Sequence, residues 1–223
     1  MSHFDDHAPW PDSPRAHRHP AEVDRKLALL DSPHVKELND KVRDLNRMRI
    51  GRQAAAESLV PWFDPSGGGI YARILFLLEA PGSRSSASRG SGLISTDNND
   101  ATAASCFTLA QEADLPRQAF ALWNIVPWYL PDGTRTQTTR LTDVLEATQH
   151  LEAVLGLFRH LDLVITLGAH ARTGWEILRT RSSRIRSLDW QAVPHPSATN
   201  LNTRPENRAE ILDAMKNAAK TTR

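Results

Sequence analysis

Ile74-Leu75-Phe76-Leu77, running straight into Leu78-Glu79-Ala80-Pro81-Gly82, is the stretch from which the rest of this chain is best read. The apolar run has the length of a buried strand, and the proline and glycine after it mark a turn. Three more apolar runs end in comparable marks. Phe120-Ala121-Leu122 closes in Trp123-Asn124-Ile125-Val126-Pro127-Trp128, and Leu163-Val164-Ile165-Thr166 in Leu167-Gly168-Ala169-His170. A fourth strand from Trp190 ends in Val193-Pro194-His195-Pro196-Ser197. An open parallel sheet binds its ligand outside the carboxyl ends of its strands. If the four runs are parallel neighbours, Glu79, Asn124 and His195 converge on one site.

Between the strands the pattern turns helical. Helices are expected over 101–113, 141–157, 171–178 and 204–220, the last with Ile211, Leu212 and Met215 on its apolar face. Strands alternating with helices imply crossover connections and a parallel sheet sandwiched between helices, an α/β fold. Before the first strand, Val23, Leu27 and Leu30, then Val35, Leu38, Val42 and Leu45, give a helical pattern over 21–49. Ser32-Pro33 divides it, with the serine expected to cap and the proline to take the first turn of the second helix. Residues 1–20 carry four histidines, several prolines and mixed charge without periodicity, so they are expected to form a disordered arm, with 21–223 as one domain. Irregularly spaced, His3, His7, His17 and His19 read as a solvated tail and not as metal ligands. The long polar stretch 82–100 is expected to be a functional or mobile loop.

Composition narrows the function. With 40% apolar and 24% charged residues, the chain has the make-up of a soluble domain. A net charge of +1 gives no global attraction to nucleic acid or membrane, so any polyanion must be held by a local patch. No apolar run reaches the roughly 20 residues that span a bilayer, and no secretory signal is read at the N-terminus. The single Cys106 makes no internal disulfide and fits a reducing, cytoplasmic setting. One cysteine also excludes an iron–sulfur cluster of the four-cysteine type, so no cofactor and no metal are expected. Cys106 lies among Ala103, Ala104 and Phe107 and reads as a buried structural thiol.

The strand-end residues have chemistry of their own. Gly82 lets backbone approach a ligand, and a strand-to-helix turn there aims amides at an anion. Asn124 offers one donor and one acceptor in fixed geometry, the complement of a pyrimidine edge. His195, stiffened between two prolines, is placed to donate to an oxygen on which negative charge grows. Each also has a plainer interpretation: a helix-terminus anion, a buried capping amide and a satisfied loop histidine. Three plain residues at successive strand ends is the less economical account.

At these residues the chain resembles the uracil-DNA glycosylase superfamily over roughly Ala72 to Asn207. The segment Leu78-Glu79-Ala80-Pro81-Gly82 is similar to the family's water-activating Gly-Glu-Ala-Pro-Gly motif, Trp123-Asn124-Ile125-Val126 to the segment whose asparagine reads uracil, and His195-Pro196-Ser197 to its His-Pro-Ser motif. The resemblance implies a three-layer α/β/α sandwich around a four-stranded parallel sheet. It also implies a monomeric, monofunctional glycosylase that flips deoxyuridine out of DNA and leaves an abasic site. Glu79 would activate water, Asn124 read the base, and His195 support the departing uracil. Ala80, Pro81 and Gly82 would line the substrate pocket. Asp97 and Asn98, with Asn99 and Asp100, would face the first motif, one of them sharing the water; Asp100 doubles as a helix N-cap.

The chain departs from the family pattern in three places. Leu78 replaces the motif's first glycine, the cluster cysteines are absent, and an aromatic that stacks on uracil is replaced by Ser91-Gly92-Leu93-Ile94-Ser95. Leu93 and Ile94 are expected to form an apolar lid instead. For DNA the candidates are Ser83, Arg84 and Arg89 beside the first motif, and Ser197, Asn200, Arg204 and Arg208 after the last. Leu201 is either a wedge filling the gap left by the flipped nucleotide or a loop leucine packed on the closing helix. Arg179, Arg181, Arg184 and Arg186 fall at the amino ends of the strands and read as a solvated face. The missing aromatic and Leu78 keep open a glycosylase-fold module that binds DNA without cutting, and a second alternative is a glycosylase for another base, such as hypoxanthine or mismatched thymine.

Overall fold

A computed structural model of the chain describes residues 9–52, 59–86, 88–129 and 141–222. Its centre is a four-stranded, all-parallel sheet built from β2 (Ile74–Leu78), β4 (Phe120–Asn124), β5 (Leu163–Leu167) and β6 (Asp189–Val193), in the spatial order β4-β2-β5-β6. Two short segments, β1 (Trp62–Phe63) and β3 (Leu93–Ile94), pair separately in parallel, an addition that the sequence pattern does not announce.

The apolar runs are continuous because both faces of the sheet are covered. Leu75, Leu77, Ala121, Trp123 and Val164 meet α2 (Pro33–Gly51), α4 (Leu141–Leu155) and α5 (Ala169–Arg181) on one side. Ile74, Phe76, Phe120 and Ile165 meet α3 (Ala101–Glu112) and α8 (Pro205–Thr221) on the other. The three-layer α/β/α sandwich is therefore present. After β2 the chain turns to one face and after β5 to the other. Diverging connections of this kind open a crevice beyond the carboxyl ends of the strands.

Register carries this fold to the site. Leu78 pairs with Asn124, and the pairing continues beyond the strands: Ile125 N–H donates to the Leu78 carbonyl at 2.8 Å and Val126 N–H to that of Glu79 at 2.9 Å. Glu79 and Asn124 are thus fixed as neighbours by backbone alone. On the other flank, Gly168 N–H donates to the Val193 carbonyl at 2.8 Å, tying the end of β5 to the approach to His195.

Two expectations change. Ser32 makes no side-chain capping bond, although Pro33 does open α2; the Ser32 carbonyl instead accepts the Val35 and Lys36 amides. Residues 9–20, expected in a disordered arm, lie against the domain, while residues 1–8 fall outside the described set. Ala16 is buried in a turn of 3-10 helix, and α1 (Pro20–Leu27) follows directly. The Arg25 guanidinium lies over the Trp10 ring at 4.3 Å, and Arg117 donates to the Pro11 carbonyl at 2.8 Å. Low periodicity hid these anchors, each of which is a single long side chain. No helix among the described residues is long and apolar enough to cross a membrane.

Candidate active site

A cavity of about 500 Å³ opens beyond the carboxyl ends of β2 and β4. Glu79, Asn124 and His195 all line it, as do Ala80, Pro81 and Gly82. The three residues expected to converge from the ends of β2, β4 and β6 thus share one cavity. Asn124 is 2% exposed, and its Nδ2 has no hydrogen-bond partner although it is buried. A buried donor left unsatisfied costs about 1–3 kcal/mol, so a ligand acceptor is the natural complement of this amide.

His195 is held on two sides. Asn200 Nδ2 donates to its carbonyl at 3.2 Å, and Gly168 stands directly behind its side chain. Gly168 has φ +98°, and a Cβ there would fall 2.9 Å from the His195 Cβ. The third strand-end mark, which carries no polar group of its own into the chemistry, is what makes room for the fourth. Burial lowers the pKa of the His195 imidazole; the nearby Asp100 carboxylate opposes this and His170 adds to it. His195 therefore offers a neutral N–H near pH 7.

Asp100 is both the helix cap its position suggests and a neighbour of the site. Its side chain accepts the Ala103 amide at 2.9 Å as the N-cap of α3, and it also lines the cavity near His195. Capping uses one carboxylate oxygen, Oδ1, so it does not exclude a place in the cavity wall. Cys106 lines the cavity as well, but burial, helped by the charge of Asp100, pushes its thiol up to about 12. It remains protonated, which removes it as a nucleophile.

Other candidates are relocated by packing. Leu93 is fully buried in the small sheet opposite Trp62 and does not line the cavity; only Ile94 reaches it. The apolar lid of two residues is therefore a wall with one. Asp97 is also fully buried and away from the cavity, gripped by Lys26 Nζ at 2.5 Å and by two Arg117 nitrogens at 2.7 and 2.9 Å. Asn98 lines the cavity, but its amide is committed elsewhere. Its Nδ2 donates to the Leu93 carbonyl at 2.9 Å and Ser85 Oγ at 3.0 Å, while its Oδ1 accepts Ser91 Oγ at 2.6 Å. The polar run that reads as a water-handling cluster is mostly structural.

Around the rim, Ser83 and Arg84 line the cavity, and Arg89 is exposed in the loop closed by the Ser91 amide donating to the Arg84 carbonyl. Ser197 lines it too, while its Oγ caps the short helix α7 (Ala198–Thr203), which the sequence pattern leaves unread. Asn200 acts on the His195 backbone and does not line the cavity, Arg204 is exposed at the start of α8, and Arg208 is paired with Glu112. Leu201 packs against the apolar layer between α3 and α8, the second of its two readings. Arg179 and Arg186 are remote from the cavity; Arg179 lies over Trp190 and donates to the Arg186 carbonyl.

Lys26, Asp64 and Arg117 form the feature that sequence reading missed. Lys26 is completely buried, with Nζ donating to Asp64 at 2.7 Å, Ser66 at 3.0 Å and Ser95 at 3.3 Å as well as to Asp97. Burial would raise the Asp64 carboxyl, but the Lys26 charge and hydrogen bonds from Lys26, Ser95 and Ser66 hold it well below the usual carboxylate range. A lysine on an amphipathic helix is ordinarily assigned to solvent, so no periodicity signal reveals this one. Among the described residues there is no cluster of three or more His, Cys, Asp or Glu able to hold a metal ion.

Comparison with the curated proteins finds no significant match. Among solved structures, the chain is similar to the solution NMR structure of a candidate uracil DNA glycosylase from Methanosarcina acetivorans, at 14% identity and a TM-score of 0.48, over 67% of this chain and 94% of that one. The model of the uracil DNA glycosylase superfamily matches residues 65–217, a span that includes all four strand ends around the cavity. This chain belongs to the uracil DNA glycosylase superfamily.

Proposed function

We propose that the chain is a DNA glycosylase that hydrolyses the N-glycosidic bond of deoxyuridine in DNA and leaves an abasic site. The observation that carries this is the buried, unpartnered Asn124 Nδ2 in the same cavity as Glu79 and His195. A flipped uracil brings a carbonyl oxygen to that donor, satisfying both groups in one step. The Glu79 carboxylate orients a water toward the sugar carbon and accepts its proton as the new C–O bond forms. Its charge also favours the cationic sugar that develops as the C–N bond breaks. His195 donates its N–H to the uracil oxygen on which the bonding electrons accumulate, where stabilisation counts most. The free base leaves with the pair and is protonated afterwards.

DNA is held on this reading by the rim: exposed Arg84, Arg89 and Arg204, with Ser83 and Ser197 beside them. The enzyme works as a monomer without cofactor. One observation favours a second reading. Among the described residues no Phe, Tyr or Trp lines the cavity, and its wall includes small groups such as Ala80, Ser95, Ala103 and Cys106. Room of that kind suits another lesion base, hypoxanthine or mismatched thymine, at the same site.

Oligonucleotides carrying a single uracil, hypoxanthine or mismatched thymine, incubated with the protein and cleaved with alkali, separate these readings. Strand breaks at uracil support the proposal, and breaks at another lesion alone move the substrate. DNA binding with no break at any lesion leaves a non-cutting module. Glu79→Ala and His195→Ala should each lower the single-turnover rate about tenfold or more.

A further inference from the structure

Behind one wall of the cavity lies a charge cluster to which Lys26 and Asp64, before the family-matched span, and Asp97 and Arg117, within it, all contribute. The wall is the turn 95–100, from which Ser95, Asn98 and Asp100 reach the cavity. Its backbone is tight: Asp97 N–H donates to Ser95 Oγ at 3.0 Å and Asp100 N–H to the Asn98 carbonyl at 2.8 Å. The turn points one carboxylate away from the cavity, that of Asp97, and three separate parts of the chain seize it or its neighbours. Lys26, from α1, bonds Asp97 and Ser95 and joins them to Asp64 and Ser66. Arg117, after α3, grips both Asp97 oxygens and donates to the Pro11 carbonyl, with its guanidinium over the Phe107 ring of α3 at 5.0 Å. His17 closes the set: its backbone amide donates to the Asp97 carbonyl at 3.0 Å and its Nδ1 pairs with Asn98 Oδ1 at 2.8 Å.

Two cations and two carboxylates balance in this cluster, so it carries little field of its own into the cavity. What it supplies is geometry. Lys26, Asp64 and Asp97 are at most one-tenth exposed, and the Arg117 side chain is 18% exposed. A bidentate arginine fork and a three-donor ammonium fix a carboxylate in direction as well as distance. Asp100 sits three residues from that fixed point, capping α3 and facing His195.

We propose that Lys26 and Arg117 are positioning residues which, with the N-terminal segment 9–19, clamp the turn 95–100 and so set the wall of the cavity against Glu79 and His195. This rests on the reading of the cavity as a glycosylase site. The N-terminal segment thereby becomes a part of the site, not an appendage to it. The clamp touches neither substrate nor reacting atoms; it acts through Asp97.

Arg117→Met in the full chain tests this: it removes the fork and leaves Lys26 as the one cation between Asp64 and Asp97. Three quantities are measured on the folded protein: the single-turnover rate of uracil release, the affinity for a uracil-free oligonucleotide, and amide hydrogen exchange. The rate is expected to fall about tenfold, as misplacement of supporting groups does, with DNA affinity within about twofold because the rim is untouched. Exchange over 93–100 should accelerate while that over Ile74–Leu78 stays slow. Arg117→Lys, which keeps the charge and loses the fork, should recover part of the rate, and it stands in on all three measurements if Arg117→Met does not fold. Unchanged exchange over 93–100 overturns the clamp, and faster exchange with an unaltered rate overturns its role in positioning. If the unmutated protein releases no base from any lesion, the glycosylase reading fails, and exchange alone then decides whether the clamp exists.

Discussion

Gly168→Ala is the sharpest perturbation this structure offers, because it adds one carbon at a known distance from the proposed donor. The new Cβ falls 2.9 Å from the His195 Cβ and 3.4 Å from its Cδ2. Carbon pairs rest at about 3.5–4.0 Å, so the first contact is short by roughly 0.6–1.1 Å. The φ of +98° with ψ 165° adds a conformation that is essentially reserved for glycine, at a cost of about 1–3 kcal/mol. Gly168 cannot retreat easily, since its amide is bonded to Val193. His195 must therefore shift, against the Asn200 bond on its own carbonyl. A displacement of about 1 Å at a catalytic group costs about a hundredfold in rate. The expected result is a single-turnover rate 10–100-fold lower, with thermal stability reduced by about 1–3 kcal/mol. The double variant Gly168→Ala/His195→Ala separates the two effects. Once the histidine side chain is gone, the added methyl should slow the reaction no further, although the destabilisation from φ remains. A Gly168→Ala enzyme of unaltered rate, or a double variant much slower than His195→Ala alone, would refute this account of how His195 is placed.

Four shorter tests address the other groups. Asn124→Asp exchanges the buried donor for an acceptor and should abolish uracil release while leaving the affinity for uracil-free DNA within about twofold, measured by fluorescence anisotropy. Nuclear magnetic resonance should show the His195 imidazole titrating below the ordinary 6.5, with Asp100→Asn lowering the midpoint further and His170→Gln raising it. Because its folded value lies under its unfolded one, His195 contributes stability above pH 6.5 that is lost as pH falls through the folded value. For Asp64, depressed from 3.8, the contribution is complete above that pH and disappears on acidification below it, so Asp64→Asn should flatten the acid limb of a denaturation series. With its thiol near 12, Cys106 should resist iodoacetamide at pH 8 in the native state and react only as fast as the protein opens.

The parallel sheet and its helices were legible because strand length, crossover spacing and strand-end turns all report the same α/β plan. Glu79, Asn124 and His195 could be read for a related reason: each ends or follows a strand whose register is set by backbone pairing, so position in sequence translates directly into position in space. That translation failed in the stretch between Gly82 and Asp100. There, two residues enter an additional sheet, Asn98 is used up by its own loop, and Asp97 turns inward to Lys26 and Arg117. Nothing in the local pattern distinguishes a carboxylate that meets water from one that meets a buried cation 71 residues away in sequence. The role of Gly168 is hidden from the sequence for the opposite reason. Its contribution is the absence of an atom, and only the approach of His195 shows what that absence is for.

The same contrast explains why the site is divided between two kinds of support. Groups assigned to the chemistry stand at or just beyond strand ends, where a rigid sheet holds them and few side chains are needed. The opposing wall stands on a loop, and loop backbone has no such lattice. It must be fixed by discrete bonds, and Asp97 supplies the handle by facing away from the cavity. A buried ion cluster is a costly way to gain stability, because desolvation offsets most of the attraction. Directional placement is a better reason for its presence, since an apolar replacement of equal volume packs without specifying orientation. Substituting Lys26, Asp64, Asp97 and Arg117 together by apolar residues should therefore separate the two roles. Thermal stability within about 1–4 kcal/mol of the unaltered protein, with fast exchange over the turn 95–100, is expected from a cluster kept for orientation. Collapse of the fold with no such intermediate behaviour is expected from one kept for stability.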